Sequence, residues 1–370
     1  MARMPERSTA SDAALPFTLP DRAPVTRIRQ RDARDLARPA LPAGRERTQP
    51  MAGFEDRFTD IVDYIVRITD EIWMDRAVGY IYDTYDPSCT IYSSYGVVRS
   101  VEEVIASTVA TLNAYPDGEI HHLAVAWSGD EQQGFYTSHL GHSRSTNVGR
   151  TPWGPGTGRR TSIRFVADCV SRDNRVHTEW LVRDNGAAVR QLGYDPHDIA
   201  RRAAETSALE RFVLSPETRL EGQAPRRRLD ADTRTVDGWA RSLFHDVWNL
   251  RRLDWLARHY ADDVIAHAGG GRTAQGLRNY QALVLHVLAA IPDGVMRVEH
   301  VCWTDETDGV IVAVRWVLEG TTAPGGVLGE CPAGKPVFMM GMSHLRLSGG
   351  SIVEEWMLFD EVGVLAQAYR

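Results

Sequence analysis

Lysine is almost absent from this chain of 370 residues: Lys335 is the only one, and the other basic residues are arginines. Because Lys335 lies in the turn-like segment AGKPV, chemistry through a lysine Schiff base is not expected. No apolar run reaches the length that crosses a bilayer. The formal net charge of −7 argues against nucleic acid or an anionic membrane as the main partner.

Cysteine is scarce as well. The four cysteines are scattered along the chain, without a C-x-x-C pair, and three of them lie in strand-like runs. In such runs a free cysteine behaves as a small apolar residue. We therefore expect a reducing, cytoplasmic setting without structural disulfides.

Motifs for metal ions and for nucleophilic catalysis are missing too. The sequence contains neither H-E-x-x-H nor G-x-S-x-G. His121 and His122 are adjacent in a strand-like run, where neighbouring side chains point to opposite faces, so only one of them can point inward. We expect no metal site.

The order of elements is readable from the pattern. Residues 1–50 are rich in Arg, Pro and Ala and show no apolar periodicity, which predicts a disordered tail. From Phe54 onward, apolar residues recur at steps of three and four, which predicts a helix. A second helix is predicted from Val101 to Leu112. The β-branched and aromatic runs that follow, separated by turn residues, predict an antiparallel sheet.

The second half of the chain repeats this order, beginning with a predicted helix over 237–261. The closing segment EEWMLFDEVG at 354–363 resembles TEWLVRDNG at 178–186. The matching pairs include Glu179 with Glu355, Trp180 with Trp356, Asp184 with Asp360, and Trp127 with Trp303. A repeat of this length predicts two α+β domains, 51–194 and 237–370, joined by a helix and linker at 195–236.

The closing pattern G-x-I-V-E-x-W-x-x-x-D-x-x-G, together with the preceding IPDG and GKPV segments, resembles the SnoaL-like branch of the nuclear-transport-factor-2-like superfamily. Residues 237–370 resemble it over their whole length, and residues 54–194 keep its ending. The resemblance implies two tandem conical barrels, each with helices packed on a curved antiparallel sheet. It also implies a small-molecule substrate and cofactor-free chemistry by a histidine and an aspartate that face the cavity.

Carried over position by position, those two residues fall on His344 and Asp360 in the second copy. The matching positions in the first copy are Asp168 and Asp184, so an aspartate stands where the second copy has its histidine. We take all four as candidate catalytic residues, with the second copy as the more complete site. A positioned acid or base of this kind contributes ~10²–10⁴-fold in rate.

Each assignment has a structural alternative. His344 could be a hydrogen-bonded core histidine, and Asp360 could cap the final helix. Asp168 lies in the apolar run RFVADCV, where a carboxyl is costly unless it is protonated or paired. Arg164 and Arg183 are its candidate partners across the strands.

Further residues are candidates for substrate contacts. By the resemblance, His267 on the short strand would orient a substrate, and Tyr92 takes its place in the first copy. Arg315, beside Trp316, offers a guanidinium for a carboxylate or an enolate. Trp180 and Trp356 complete the set, with simple core packing as the alternative for the tryptophans.

Two functions of different classes remain open from the sequence. The first is an enzyme that cyclises, isomerises, dehydrates or hydrolyses a small carbonyl compound. The second is a non-catalytic binding or assembly module in which the two domains form an intramolecular pseudo-dimer, with a homo-oligomer as a further option. The copy whose polar residues face an open pocket would decide between them.

Overall fold

The computed structural model describes residues 14–28, 46–94, 96–205, 228–306 and 309–370. The helices are α1 Ile61–Trp73, α2 Ile81–Thr84, α3 Val101–Ala114, α4 Asn185–Leu192, α5 Pro196–Ala204, α6 Val236–Phe244, α7 Leu256–His259, α8 Leu277–Ala290 and α9 Glu361–Ala368. The strands are β1 Tyr85–Ser93, β2 Gly96–Val98, β3 Glu119–Asp130, β4 Gly134–Thr146, β5 Arg160–Arg172, β6 Arg175–Arg183, β7 Tyr260–Ala268, β8 Arg272–Gln275, β9 Val295–Glu306, β10 Gly309–Thr321, β11 Pro336–Ser348 and β12 Ser351–Phe359.

The strands form one open sheet. Its order is β2-β1-β6-β5-β4-β3-β9-β10-β11-β12-β7-β8, so β2 and β8 are its two ends. The α+β class is confirmed, but the two tandem barrels predicted from the sequence are not seen. The predicted pair Trp127 and Trp303 is the single point at which β3 meets β9. Each half also contains one parallel pair, β1 with β6 and β7 with β12, which the sequence pattern did not indicate.

The two halves contain similar elements in the same order. We call β1–β6 with α1–α4 the first half, and β7–β12 with α6–α9 the second half. Five strand pairs have equal lengths, as do α3 with α8 and α4 with α9. Local contacts are repeated as well: Arg76 and Arg251 both adopt positive φ (63° and 58°), and both donate to carbonyls of the turn that follows α3 or α8. Positions can therefore be compared directly between the halves.

Each half of the sheet has two faces with different neighbours. The inner face is covered by helices, as where α1 packs on Val125 and Phe135. We call the space between an inner face and its helices the cone. The outer faces of the two halves pack against each other through apolar residues of both, among them Leu140, Val166 and Met342. Since strand residues alternate, the buried strand side chains point either into a cone or toward this contact.

The N-terminal segment differs from its prediction. Phe17 packs on Trp239 with ring centroids 5.0 Å apart, and Thr26 donates to Asp60. The disorder predicted for residues 1–50 therefore does not apply to residues 14–28 and 46–50. The rest of that prediction lies outside the described residues, as does most of the predicted linker, residues 206–227.

The long helix predicted over 237–261 is broken. After α6, residues His245–Asn249 form a π-helical turn, and Arg251 adopts a left-handed conformation that ends it. A short 3₁₀ turn and α7 follow before β7 begins at Tyr260. A non-glycine residue with positive φ cannot continue a helix, and the apolar spacing alone did not reveal it.

The expectations about disulfides and about membrane-spanning segments both concern features that the structure describes. All four cysteines are free and buried, so no disulfide links the described chain. Among the described residues, no helix combines the length and the apolar character needed to cross a membrane.

Candidate functional site

His344 and Asp168, the equivalent candidate catalytic residues of the two copies, lie at the contact between the halves and not in a cone. His344 is fully buried, and its Nε2 is 2.9 Å from Ser138 Oγ of the first half. Burial lowers the pKa of His344 to about 3, so its ring is neutral. Its Nδ1 has no hydrogen-bond partner among the described residues. The structural alternative of a core histidine matches this setting, and the catalytic role stays a prediction.

Asp168 belongs to the same contact. Tyr136 donates a short hydrogen bond to Asp168 Oδ2, whereas Oδ1 has no partner in the described chain. Burial raises the pKa of Asp168 to about 6, although Arg315 acts in the opposite direction. The predicted pairing with Arg164 or Arg183 is not seen. The cation that acts on Asp168 is Arg315 from the second half.

Asp184 and Asp360 are helix caps where the halves meet. Asp360 accepts from the backbone of Val362 and Gly363 at the start of α9, and Asn185 of the first half donates to it at 2.6 Å. Asp184 caps α4 and also accepts from two backbone N–H groups of the second half. Burial raises the pKa of Asp360 to about 7. The capping alternative is thus observed, and a catalytic role for either residue stays a prediction.

The predicted substrate contacts also lie mainly on the outer faces. Tyr92 stacks on Trp180 at 5.7 Å, and the guanidinium carbon of Arg315 is 3.4 Å from the centre of the Trp180 ring. On the second half, His267 stacks on Trp356 at 6.0 Å. Trp316 is the one member of the predicted set that faces a cone.

The cone of the second half is filled by its own side chains. Trp316 is fully buried, stacks near Trp248 at 6.4 Å and donates to Ser343 Oγ. A Cβ added to Gly341 would lie 2.2 Å from the Trp316 ring, so the indole fills the space above that glycine. Phe359 is also fully buried. A ligand would have to displace these side chains.

The cone of the first half is built differently. The position of Trp316 is held by Gly141, and Phe165 of the neighbouring strand leans over it. Several residues on this inner face and its helices keep partial solvent exposure, namely Asp70, Trp73, Ile105, Phe165, Ala167, Leu181 and Arg183. Their counterparts on the second inner face, Phe359 and Met357 among them, are buried. Solvent therefore reaches the inner face of the first half.

A chain of three polar side chains lies on that inner face. Asp70 Oδ1 of α1 is 2.9 Å from His122 Nε2 of β3. His122 Nδ1 is in turn 2.8 Å from His139 Nε2 of β4. With Asp70 as the acceptor, the proton of His122 is assigned to Nε2, so His139 donates to His122 Nδ1. Burial lowers the pKa of His139 well below its usual range, which keeps that ring neutral.

The hydrogen-bonded series Asp70–His122–His139 has no counterpart in the second half. Val298 and Val314 stand where His122 and His139 stand in the first. Of the two histidines in the HH pair, the inward one is thus His122, in agreement with the predicted single inward side chain. The described residues contain no cluster of histidine, cysteine and carboxylate groups that could hold a metal ion.

A second polar group lies across the same cone. Tyr85 donates to Glu179 Oε2 at 3.0 Å, and burial raises the pKa of Glu179. Arg183, two residues further along β6, points into the cone near Trp73, with its guanidinium carbon 6.0 Å from the ring centre. The first cone therefore combines a carboxylate–histidine chain, a guanidinium and apolar walls, which is the composition of a small-molecule site.

Comparison with known proteins bears on the second half. Residues 239–368 match the family model of SnoaL-like polyketide cyclases. That range is about a third of the chain and contains the filled cone. No curated protein is similar enough to the chain to be matched with it. The SnoaL-like second half is thus the closed one, and the polar cone lies in the half outside the matched range.

Solved structures resemble parts of the chain. A proposed SnoaL-like polyketide cyclase from Jannaschia sp. CCS1 is 18% identical, covers 41% of this chain and 100% of its own, and has a TM-score of 0.34. AclR, a proposed hydroxylase from Streptomyces galilaeus, is 19% identical over 35% of this chain and 92% of its own, with a TM-score of 0.31. IdmH, a proposed polyketide cyclase from Streptomyces antibioticus, is 26% identical over 34% and 91%, with a TM-score of 0.28.

Proposed function

We propose that the first half is a cofactor-independent enzyme unit that performs general acid–base chemistry on a small carbonyl compound. The observation that carries this proposal is the Asp70–His122–His139 chain on a solvent-reached inner face. Asp70 is the member that a ligand can meet, because its side chain is 16% exposed whereas His139 is buried. Asp70 is therefore the proposed base.

The two histidines have a positioning role in this proposal. His122 donates to one oxygen of Asp70 and leaves the other for the substrate. His139 fixes the tautomer of His122 in which that donation is made. Asp70 then takes a proton from the carbon next to a carbonyl, and the electron pair moves to the carbonyl oxygen as an enolate. Reprotonation at another carbon gives isomerisation, and attack on a second carbonyl gives cyclisation.

The second half serves a structural role in this proposal. Trp316 and Phe359 fill its cone, so the non-catalytic alternative fits this half. Its outer face packs on that of the first half, and His344 bonds to Ser138 across the contact. The halves then act as an intramolecular pseudo-dimer in which one member carries the chemistry.

Proton abstraction can be tested without knowing the natural substrate. A panel of simple ketones and β-keto esters would be incubated with the protein in heavy water, and deuterium uptake followed by proton NMR. We expect accelerated exchange for at least one compound. Asp70→Asn keeps a hydrogen-bond acceptor for His122 but removes the base, so exchange should fall by about 10²–10⁴-fold.

The control removes a carboxylate that faces solvent. Asp262 is exposed at the start of β7 in the second half, and Asp262→Asn should exchange like the wild type. Exchange that is equal in Asp70→Asn and the wild type would exclude Asp70 as the base. Loss in both variants would indicate a general effect on the protein instead.

A further inference from the structure

Arg183 has an unusual position for a cation. It ends β6 on the inner face of the first half and is only partly exposed. Its guanidinium makes no hydrogen bond or ion pair with any other described residue, although Glu179 and Tyr85 lie near enough to act on it at longer range. Burial lowers the pKa of Arg183, although Glu179 and Tyr85 act in the opposite direction.

Several arginines at the junction of the halves have a carboxylate partner. Arg190 and Arg272 both bind the buried carboxylate of Glu361, for example. A guanidinium that is removed from water without a carboxylate or carbonyl partner is costly. The fold itself does not require a cation at this position, because the second half has Phe359 there.

The residues around Arg183 indicate that the rest of the ligand is apolar. Trp73 of α1, Ile105 of α3 and Leu181 of β6 belong to the apolar cluster of this half, and Phe165 pairs with Arg183 across the strands; all four keep partial solvent access. A guanidinium binds planar oxyanions through two parallel hydrogen bonds. An enolate exists only during a reaction, whereas a resting cation that lacks a partner calls for a permanent anion.

We propose that Arg183 binds the carboxylate of a small, largely apolar carboxylic acid in the cone of the first half. This inference rests on the proposed function in that both place the substrate in that cone. It adds the substrate class: a carbonyl compound that carries a carboxylate, held by Arg183 on β6 and deprotonated by Asp70 on α1.

The probe is phenylacetate, with phenylacetamide as its neutral counterpart of the same shape, and binding is measured by calorimetry. We expect phenylacetate to bind the wild type more tightly than the amide. Arg183→Met should weaken phenylacetate binding by about 10- to 100-fold, since a charge-assisted pair is lost, and leave the amide unchanged. Arg183→Lys should retain part of the preference for the acid.

A second readout separates a binding role from a structural one. If Arg183 awaits a ligand anion, Arg183→Met should keep or raise the melting temperature, because an unpaired buried charge is removed. A lower melting temperature with unchanged phenylacetate affinity would assign Arg183 to the fold and overturn the proposal. Equal binding of acid and amide by the wild type, or no binding of either, would overturn it as well.

Two further variants complete the design. Arg144 is exposed on β4, so Arg144→Gln removes a nearby cation outside the cone and should not change phenylacetate binding. Asp70→Asn should still bind phenylacetate while it loses deuterium exchange. If exchange proves independent of Asp70 but Arg183→Met still loses the acid, the carboxylate site stands and only the proposed base is wrong.

Discussion

Trp316 occupies in β10 the position that Gly141 occupies in β4, and each faces the cone of its own half. On the neighbouring strand the sizes are reversed: Phe165 leans over Gly141, and Gly341 lies under Trp316. Large and small residues have thus exchanged strands between the halves. The indole of Trp316 fills its cone, whereas Phe165 leaves part of its own inner face in contact with solvent.

Trp316→Gly should therefore open the second cone at a cost in stability. Trp316 is fully buried, and removal of a buried aromatic side chain costs about 3–5 kcal/mol in the free energy of unfolding. Denaturant unfolding of the variant and the wild type measures the difference. Trp180→Gly, at a partly exposed position, should cost less. An equal cost for both would contradict the assignment of Trp316 as the residue that fills the cone.

Asp360 should make stability depend on pH in a defined direction. Burial raises its pKa to about 7, above the value of about 3.9 for an unfolded chain. The stability that this carboxyl contributes is fully present below pH 4 and is lost as the pH rises through 7. The wild type should therefore lose free energy of unfolding relative to Asp360→Asn between pH 5 and pH 8, by about 2.5 kcal/mol.

Asparagine at position 360 can still accept from the start of α9, so the cap is kept and the titration is removed. The measurement is chemical unfolding of both proteins across that pH range. A difference in unfolding free energy that stays constant with pH would show that Asp360 does not titrate there.

Arg22 should stabilise the junction of β3 and β9, where the two halves of the sheet meet. Its guanidinium carbon lies 4.2 Å from the Trp127 ring centre and 3.4 Å from that of Trp303, and it donates to both backbone carbonyls. Arg22→Ala should cost about 2–3 kcal/mol of stability, since two cation–π contacts and two charge-assisted hydrogen bonds are lost. Amide hydrogen exchange should rise in β3 and β9 around the two tryptophans.

Arg27 offers the matched control for this segment, because it is exposed five residues further along the chain. Arg27→Ala should leave both stability and exchange close to those of the wild type. Similar losses in the two variants would mean that charge in the segment, and not the position of Arg22, is responsible.

The variants His344→Gln and His139→Gln separate the two candidate sites. If the first cone carries the chemistry, His139→Gln should lower deuterium exchange of the carbonyl probes, because His122 loses the partner that fixes its tautomer. His344→Gln should lower stability by about 1–3 kcal/mol through its buried bond to Ser138 and leave exchange per folded molecule unchanged. Loss of exchange in His344→Gln alone would instead support the residue predicted from the sequence.

The two closing segments could be aligned from the sequence, but the orientation of their residues could not be predicted from it. The closing segments around Trp180 and Trp356 aligned correctly because equal strand lengths keep their spacing. Which face a residue takes depends on strand register, and one irregularity changes it. Counting by twos back from Trp127 would place His121 on the inner face, but the register shift between His122 and Ala124 turns His122 inward instead.

Asp70 was missed for a different reason. It lies in α1, which was recognised by its apolar residues, and its partner His122 is 52 residues away in the sequence. No local pattern links the two. The break in the predicted helix over 237–261 was equally hidden, because the left-handed conformation of Arg251 belongs to a residue type that rarely adopts it.

Because the strand lengths are equal, the polar residues of the first cone can be transferred by substitution to the matching positions of the second cone. Val298, Val314 and Phe359 stand at the positions of His122, His139 and Arg183, and His245 stands at that of Asp70. Four side chains and the exchange of Trp316 for glycine would carry the polar set into the second cone without any insertion or deletion. Both cones of one chain would then carry the polar set, and each could be mutated separately without a change in the contact between the halves.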